Sequence, residues 1–391
     1  MSLASILQAL KQGDFQSRWE IAKQAEHWDA AMAVPLLVQV LDDPNTDIEL
    51  QWFIAKILGV FSSADAALVL SQLLERSGDE EVRLMAAQSL SRFGAQAIEP
   101  LQSYLHDPQR QATALRALGL IEHPEVVPLL VEAAQTGTSQ LRICALEALE
   151  KFQSPEILPL LVATLAHPDP MLRKTAISGL ATRIEEGNRD ALAKHFIPLL
   201  EDDNEWVADQ AARALGRIAT DSCTTALVDK CTNQATASSL QRTLIQCLGW
   251  IHSEAAIGGL ERIGTLQMQN PDLPELLLQD VIASFASAAG TTVQTLAGQV
   301  LINWVKSDAF AARPLLRSRA ILALGQLLMP TQIPDLIDLL ADSDYGVQLH
   351  VIAALKQLSP QMAYTAIQER LKADSTNAQL AQGLAIAVQE W

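Results

Sequence analysis

Residues 79–105, DEEVRLMAAQSLSRFGAQAIEPLQSYL, decide the fold. Asp79 stands where a side-chain oxygen can cap a helix, and Glu80 and Glu81 favour the positive end of that helix's dipole. Val82, Ala86, Leu90 and Phe93 then recur at the spacing of one apolar helical stripe. Gly94 supplies a stop. A second helix starts at Ile98, with Pro100 tolerable in its first turn, and ends before His106-Asp107-Pro108. Two short helices with one apolar stripe each cannot bury themselves. They must stack on further copies.

The copies are present along the whole chain. Aligned on Leu90, the ladder positions are Leu58, Leu118, Leu149, Leu180, Leu215, Leu248, Leu324 and Leu355, each preceded by a small residue or Ile57. Most spacings lie between 28 and 35 residues; the gap of 76 between Leu248 and Leu324 holds two units, the middle one degenerate at Ser284-Phe285. A fixed period of this size predicts a solenoid. Second-type helices begin at residues 34–37, 124–130, 155–161, 196–200 and 333–340, where Pro and paired leucines recur.

Seven positions before the ladder leucine stand Arg83, Arg142, Arg173 and Arg317, or Gln51, Gln111, Gln241 and Gln348, with Ala208 the exception. Asp47, Asp79, Asp107, Asp169 and Asp344 lie four residues earlier. This spacing predicts a polar ladder, the aspartate bonding the Arg or Gln one turn later and the neighbouring repeat's turn.

The grammar Asp, Val-Arg-x-x-Ala-x-x-Ala-Leu-x-x-Ile-Gly, then Ala-x-x-x-Leu-x-x-x-Leu resembles the HEAT repeat. Its short period resembles the subclass named after phycobilisome bilin lyases, over residues 15–371. The expected fold is all-α: a solenoid of about eleven helix pairs in one right-handed superhelix. Residues 1–391 read as a single solenoid. It has an N-terminal cap region at 2–14 and regular repeats at 15–264 and 315–371. A distorted repeat falls at 265–314, where the Arg slot is lost, and a closing helix at 372–391. Longer loops are expected at 185–188, 232–239, 268–272 and 306–313.

The formal net charge of −17 argues against duplex nucleic acid, which needs a basic footprint. Cys144, Cys223, Cys231 and Cys247 show no C-x-x-C pair, so free thiols and a reducing, cytoplasmic setting are expected. The N-terminal residues lack the basic start and cleavage site of a signal peptide. The uncharged run 281–305 contains Gly290-Thr291-Thr292 and reads as two buried helices, not a membrane span.

No phosphate loop, nucleophile elbow or zinc-protease motif occurs, so no catalytic residue and no metal site is assigned and an enzyme is not expected. The chemistry-bearing pattern is a basic stripe. Outward positions of the first-type helices, expected on the concave face, carry Trp52, Lys56, Arg92, Arg116, Lys151, Lys174, Arg213, Arg217, Arg242 and Trp250, interrupted by Glu147 and Asp209. This predicts an interaction scaffold that holds an acidic protein partner without a cofactor. The family resemblance implies an alternative: a bilin lyase subunit or antenna-linked factor holding a tetrapyrrole, with basic residues on its propionates and Trp52 or Trp250 against its rings.

Overall fold

The computed structural model describes residues 3–61, 63–269, 275–373 and 377–391, and the chain divides into two compact units, Met1–Arg183 and Ile184–Trp391. Among the described residues all regular structure is helical. The first unit carries six first-type helices: Phe15–Lys23, Ile48–Leu58, Glu80–Ser91, Gln111–Leu118, Ser139–Leu149 and Pro170–Ala181. The second carries five: Glu205–Ile218, Ser238–Trp250, Glu275–Ala286, Pro314–Gln326 and Tyr345–Leu358. Second-type helices such as Ala64–Arg76 and Asp221–Thr232 alternate with them, and within each unit consecutive first-type helices pack on one another. The expected all-α solenoid of about eleven helix pairs is the observed fold.

The ladder is the core. Leu58, Leu90, Leu118, Leu149 and Leu180 in the first unit, and Leu215, Leu248, Leu324 and Leu355 in the second, are all fully buried. Phe285, in the degenerate copy, is equally buried and takes the leucine's place. The small residue before the leucine and the glycine after it have a shared cause. Gly119 lies against Ala148 of the next repeat, and Gly216 against Cys247, so successive first-type helices approach through their smallest side chains.

Caps fix where the first-type helices begin. Asp47, Asp79, Asp169 and Asp344 accept backbone amides of the first turn, as does Asn204. This corrects the expected bond between each aspartate and the Arg or Gln that follows it. The carboxylate is occupied by N–H groups, and the slot residue turns the other way, to carbonyls left open at the end of the preceding second-type helix. Arg142 Nε donates to Gly137 O at 2.9 Å, Arg83 Nη1 to Ser77 O at 3.2 Å, and Arg173 Nη1 to His167 O at 2.8 Å. Gln241 Nε2 and Gln348 Nε2 do the same, to Cys231 O at 3.0 Å and Asp342 O at 2.7 Å. Some slots also reach the following repeat: Arg142 Nη1 lies 3.2 Å from His167 Nε2, and Arg317 pairs with Asp342 at 2.7 Å. The ladder is polar, and it reaches the neighbouring repeat's turn as expected; carbonyls take the place of the expected aspartate partner.

Sequence reading missed Arg18, which fills this slot in the first repeat. It is buried, donates to Leu10 O and Lys11 O, and forms a two-pronged pair with the capping carboxylate Asp47 at 2.9 and 3.0 Å. The signal was available, because Arg18 lies seven residues before Ala25 and Ala25 lies 33 before Leu58.

Residues 281–305 form the end of Glu275–Ala286 and all of Thr291–Val305, with Gly290 turning between them at φ +92°. No described helix is long and apolar enough to cross a membrane. The loop expected at 306–313 instead contains a short helix, Asp308–Ala311. Buried Phe310 draws it in against Trp304, which also meets Phe285 edge-on at 5.4 Å. Of the loop expected at 268–272, residues 270–272 lie outside the described residues. The leading helix is Leu3–Gln12, and the closing helix is Ala378–Glu390, after which Trp391 lies 5.6 Å from Tyr364.

Candidate functional site

The ten expected site residues divide between the two units, and their surroundings differ. In the first unit, Trp52 and Lys56 are one helical turn apart. Trp52 stacks on Trp19 at 6.5 Å, and the Lys56 ammonium sits over the Trp19 ring at 4.4 Å and the Trp52 ring at 5.5 Å. Phe15 and Phe53 complete the cluster at 5.2 Å from each other. Lys56 is therefore engaged by a cation–π pair within its own fold.

Arg92 and Arg116 are exposed and Lys174 half-buried, and none has a carboxylate partner among the described residues. Lys151 is exposed as well; its Nζ donates to Gly119 O at 3.3 Å, which fixes it beside the neighbouring helix without neutralising it. Arg116 and Lys151 share the rim of a groove of about 330 Å³ across the helices Glu80–Ser91, Gln111–Leu118 and Ser139–Leu149. Leu84, Ala87, Ala117, Gly119, Leu120 and Ala148 give this groove its apolar lining, and Cys144 and Glu147 complete one wall. Burial pushes the Cys144 thiol up from its ordinary value, Arg116 beside it pulls it partly back, and Glu147 adds to the rise. The thiol stays protonated at neutral pH and behaves as part of the apolar surface.

In the second unit two of the three expected cations are paired. Arg213 pairs with Asp209 at 2.8 Å, and Asp209 also accepts from the Thr243 hydroxyl at 2.6 Å. Arg242 pairs with Asp280 at 2.7 Å. Arg217 and Trp250 are exposed. The Arg213 pair was legible as an i, i+4 contact; the Arg242 pair was not, because Asp280 lies on the next first-type helix, 38 residues on.

All four cysteines are free thiols, and burial pushes Cys231 and Cys247 up to about 12. No group of His, Cys, Asp and Glu among the described residues is arranged to hold a metal ion.

Comparison with known proteins fits this architecture. A family model for HEAT repeats matches residues 45–111, 106–181, 138–196 and 299–387, more than half of the chain. The chain belongs to the HEAT-repeat family. No curated protein sequence matches it. Among solved structures it is similar to importin beta (13% identity, TM-score 0.57), covering 99% of this chain and 60% of that one. It is also similar to Kap95p in a structure concerned with its binding to RanGDP (14% identity, TM-score 0.54), again covering 99% of this chain and 60% of that one. The chain thus spans about 60% of the length of these proteins, and at such identity the likeness is one of fold. A complex of CpcE and CpcF of phycocyanin lyase from a Nostoc species also matches, at 20% identity over 60% of this chain and 94% of that one. Its TM-score of 0.33 is too low to carry an argument.

Proposed function

We propose that the protein is a non-catalytic interaction scaffold and that the first-type face of its first unit docks an acidic protein surface. One contrast carries this reading. Arg92, Arg116, Lys151 and Lys174 have no carboxylate partner among the described residues, whereas in the second unit Arg213 and Arg242 are each held by an aspartate and Arg217 alone of the expected cations is not. In a chain of net charge −17, unneutralised cations on one face leave a local positive field that steers anionic surfaces toward it. Solenoids offer such continuous faces for binding. A cytoplasmic setting belongs to the same proposal and is supported by the four free thiols.

Each exposed ion pair contributes only about 0–1 kcal/mol, so affinity must come from several contacts together. Binding then weakens with added salt, because screening shortens the reach of exposed charges. The test is triple charge reversal, Arg92→Glu, Arg116→Glu and Lys151→Glu, on exposed side chains whose change leaves the core intact. The reversed protein is expected to lose the acidic partners that the wild type captures from a native lysate, with an unchanged helical circular dichroism spectrum. An unchanged set of captured partners would remove this face from consideration.

A further inference from the structure

The groove beside Arg116 and Lys151 has a shape that charge alone does not require. Successive first-type helices approach through Ala, Ser, Cys and Gly, so the surface above each contact is low. Between the helices Gln111–Leu118 and Ser139–Leu149 that low point is the Gly119–Ala148 contact, and taller side chains stand around it. Leu84, Ala87, Ala117 and Leu120 line this trough, and Leu120 is left 47% exposed. Arg116 and Lys151 stand on the rim, and Arg92 lies on the same outward face. A cavity of about 330 Å³ takes one or two large apolar side chains and no folded domain.

Resting on the docking reading above, we propose that the occupant is a linear peptide segment of the acidic partner, carrying a large apolar residue flanked by Asp or Glu. The apolar side chain enters the trough lined by Leu84 and Leu120, and the flanking carboxylates meet Arg116 and Lys151. Charge complementarity selects this occupant. Arg116 and Lys151 lack carboxylate partners among the described residues, and Glu147, which lines the same groove, repels an acidic residue placed at its centre, so the central residue is neutral. Lys151 is held in position by its bond to Gly119 O, which pre-orients one of the two charges.

The experiment uses the full chain and three fluorescein-labelled octapeptides read by anisotropy. One has Phe-Leu flanked by three Glu on each side, one has Ser-Ser in place of Phe-Leu, and one has Phe-Leu flanked by Lys. The first is expected to bind about ten-fold or more tightly than the Ser-Ser peptide, as burial of one large apolar side chain implies. It is also expected to bind more tightly than the lysine-flanked peptide, whose charges Arg116 and Lys151 repel. Leu120→Asn, on an exposed side chain, is expected to bring the Phe-Leu and Ser-Ser acidic peptides to equal affinity. If the Ser-Ser peptide binds the wild type as well as the Phe-Leu peptide, with salt sensitivity, the anchored-segment proposal is overturned while the acidic docking face stands. If the lysine-flanked peptide binds best, or no acidic peptide binds at millimolar concentration, both fall.

Discussion

A methyl group placed on Gly119 would come within 2.6 Å of Ala148 Cβ, so the two first-type helices are as close as their backbones allow. The same relationship holds between Gly59 and Ser89, and between Gly249 and Ser284. It explains why the ladder leucine so often has a small residue before it and glycine after it. We expect Gly119→Ala to destabilise the protein by about 1–3 kcal/mol by overpacking, although alanine is the better helix former. Ala148→Gly in the same molecule is expected to recover part of the loss. Gly258→Ala is the control: nothing lies within 4 Å of its added carbon, and a small stabilisation of roughly 0.5–1 kcal/mol is expected. Equal effects at both glycines in urea denaturation would rule out the close contact as the cause.

Leu149 is fully buried on the helix Ser139–Leu149, between two other first-type helices of the first unit. Leu149→Ala removes a core side chain and leaves a cavity, and is expected to cost about 2–5 kcal/mol. Chemical denaturation showing no loss would displace the core from the ladder.

Arg18 sets a pH-dependent contribution in the first repeat. Its guanidinium holds the Asp47 carboxyl below its ordinary value, against a smaller opposing effect of burial. A carboxyl depressed in the folded state contributes stability that is complete above its unfolded pKa and is lost as pH falls through the folded one. Arg18→Met is therefore expected to cost about 1.5–3 kcal/mol near neutrality, the range for hydrogen bonds to charged groups. The difference from wild type should shrink as pH falls below the ordinary carboxylate range and on through the depressed pKa of Asp47. It does not vanish, because the bonds to Leu10 O and Lys11 O are lost at every pH. Native-state hydrogen exchange of the helix Phe15–Lys23 reads this difference; a cost independent of pH would detach Asp47 from it.

Three of the four Gln slots border open space. Cavities of about 200, 220 and 430 Å³ are lined by Gln111, Gln51 and Gln241. Gln111→Arg is expected to fill its cavity and reach Glu132 and the open carbonyls nearby, adding about 0.5–2 kcal/mol as cavity-filling changes do. The check is a rise in thermal midpoint; a fall would mean that the cavity is closed to a longer side chain.

The fold was legible because its determinants are local and repeated. The apolar stripe ending in Leu90, the capping aspartates and the slot residue each recur in register, so one copy explains the others. What escaped reading depends on which groups meet across repeats. The slot's carbonyl partners are backbone atoms and leave no mark in the side-chain pattern. Arg242 and Asp280 belong to different repeats, and neither position stands out alone. Lys56 reads as an outward cation, and the Trp19 ring that engages it sits on the preceding first-type helix. Which of the expected site's charges are neutralised was therefore not legible.

The docking proposal rests on that difference between the units, and matched neutralisation tests it most directly. One variant carries Arg92→Gln, Arg116→Gln and Lys151→Gln; the other carries Arg213→Gln and Arg242→Gln. Each is titrated with one purified acidic partner at low salt and at 0.5 M salt. We expect the first variant to lose binding by at least about ten-fold at low salt, roughly the sum of three exposed pairs. We expect the second to stay within about two-fold of wild type, and all three proteins to converge at high salt. Equal losses in the two variants, or no loss in the first, would contradict the proposal.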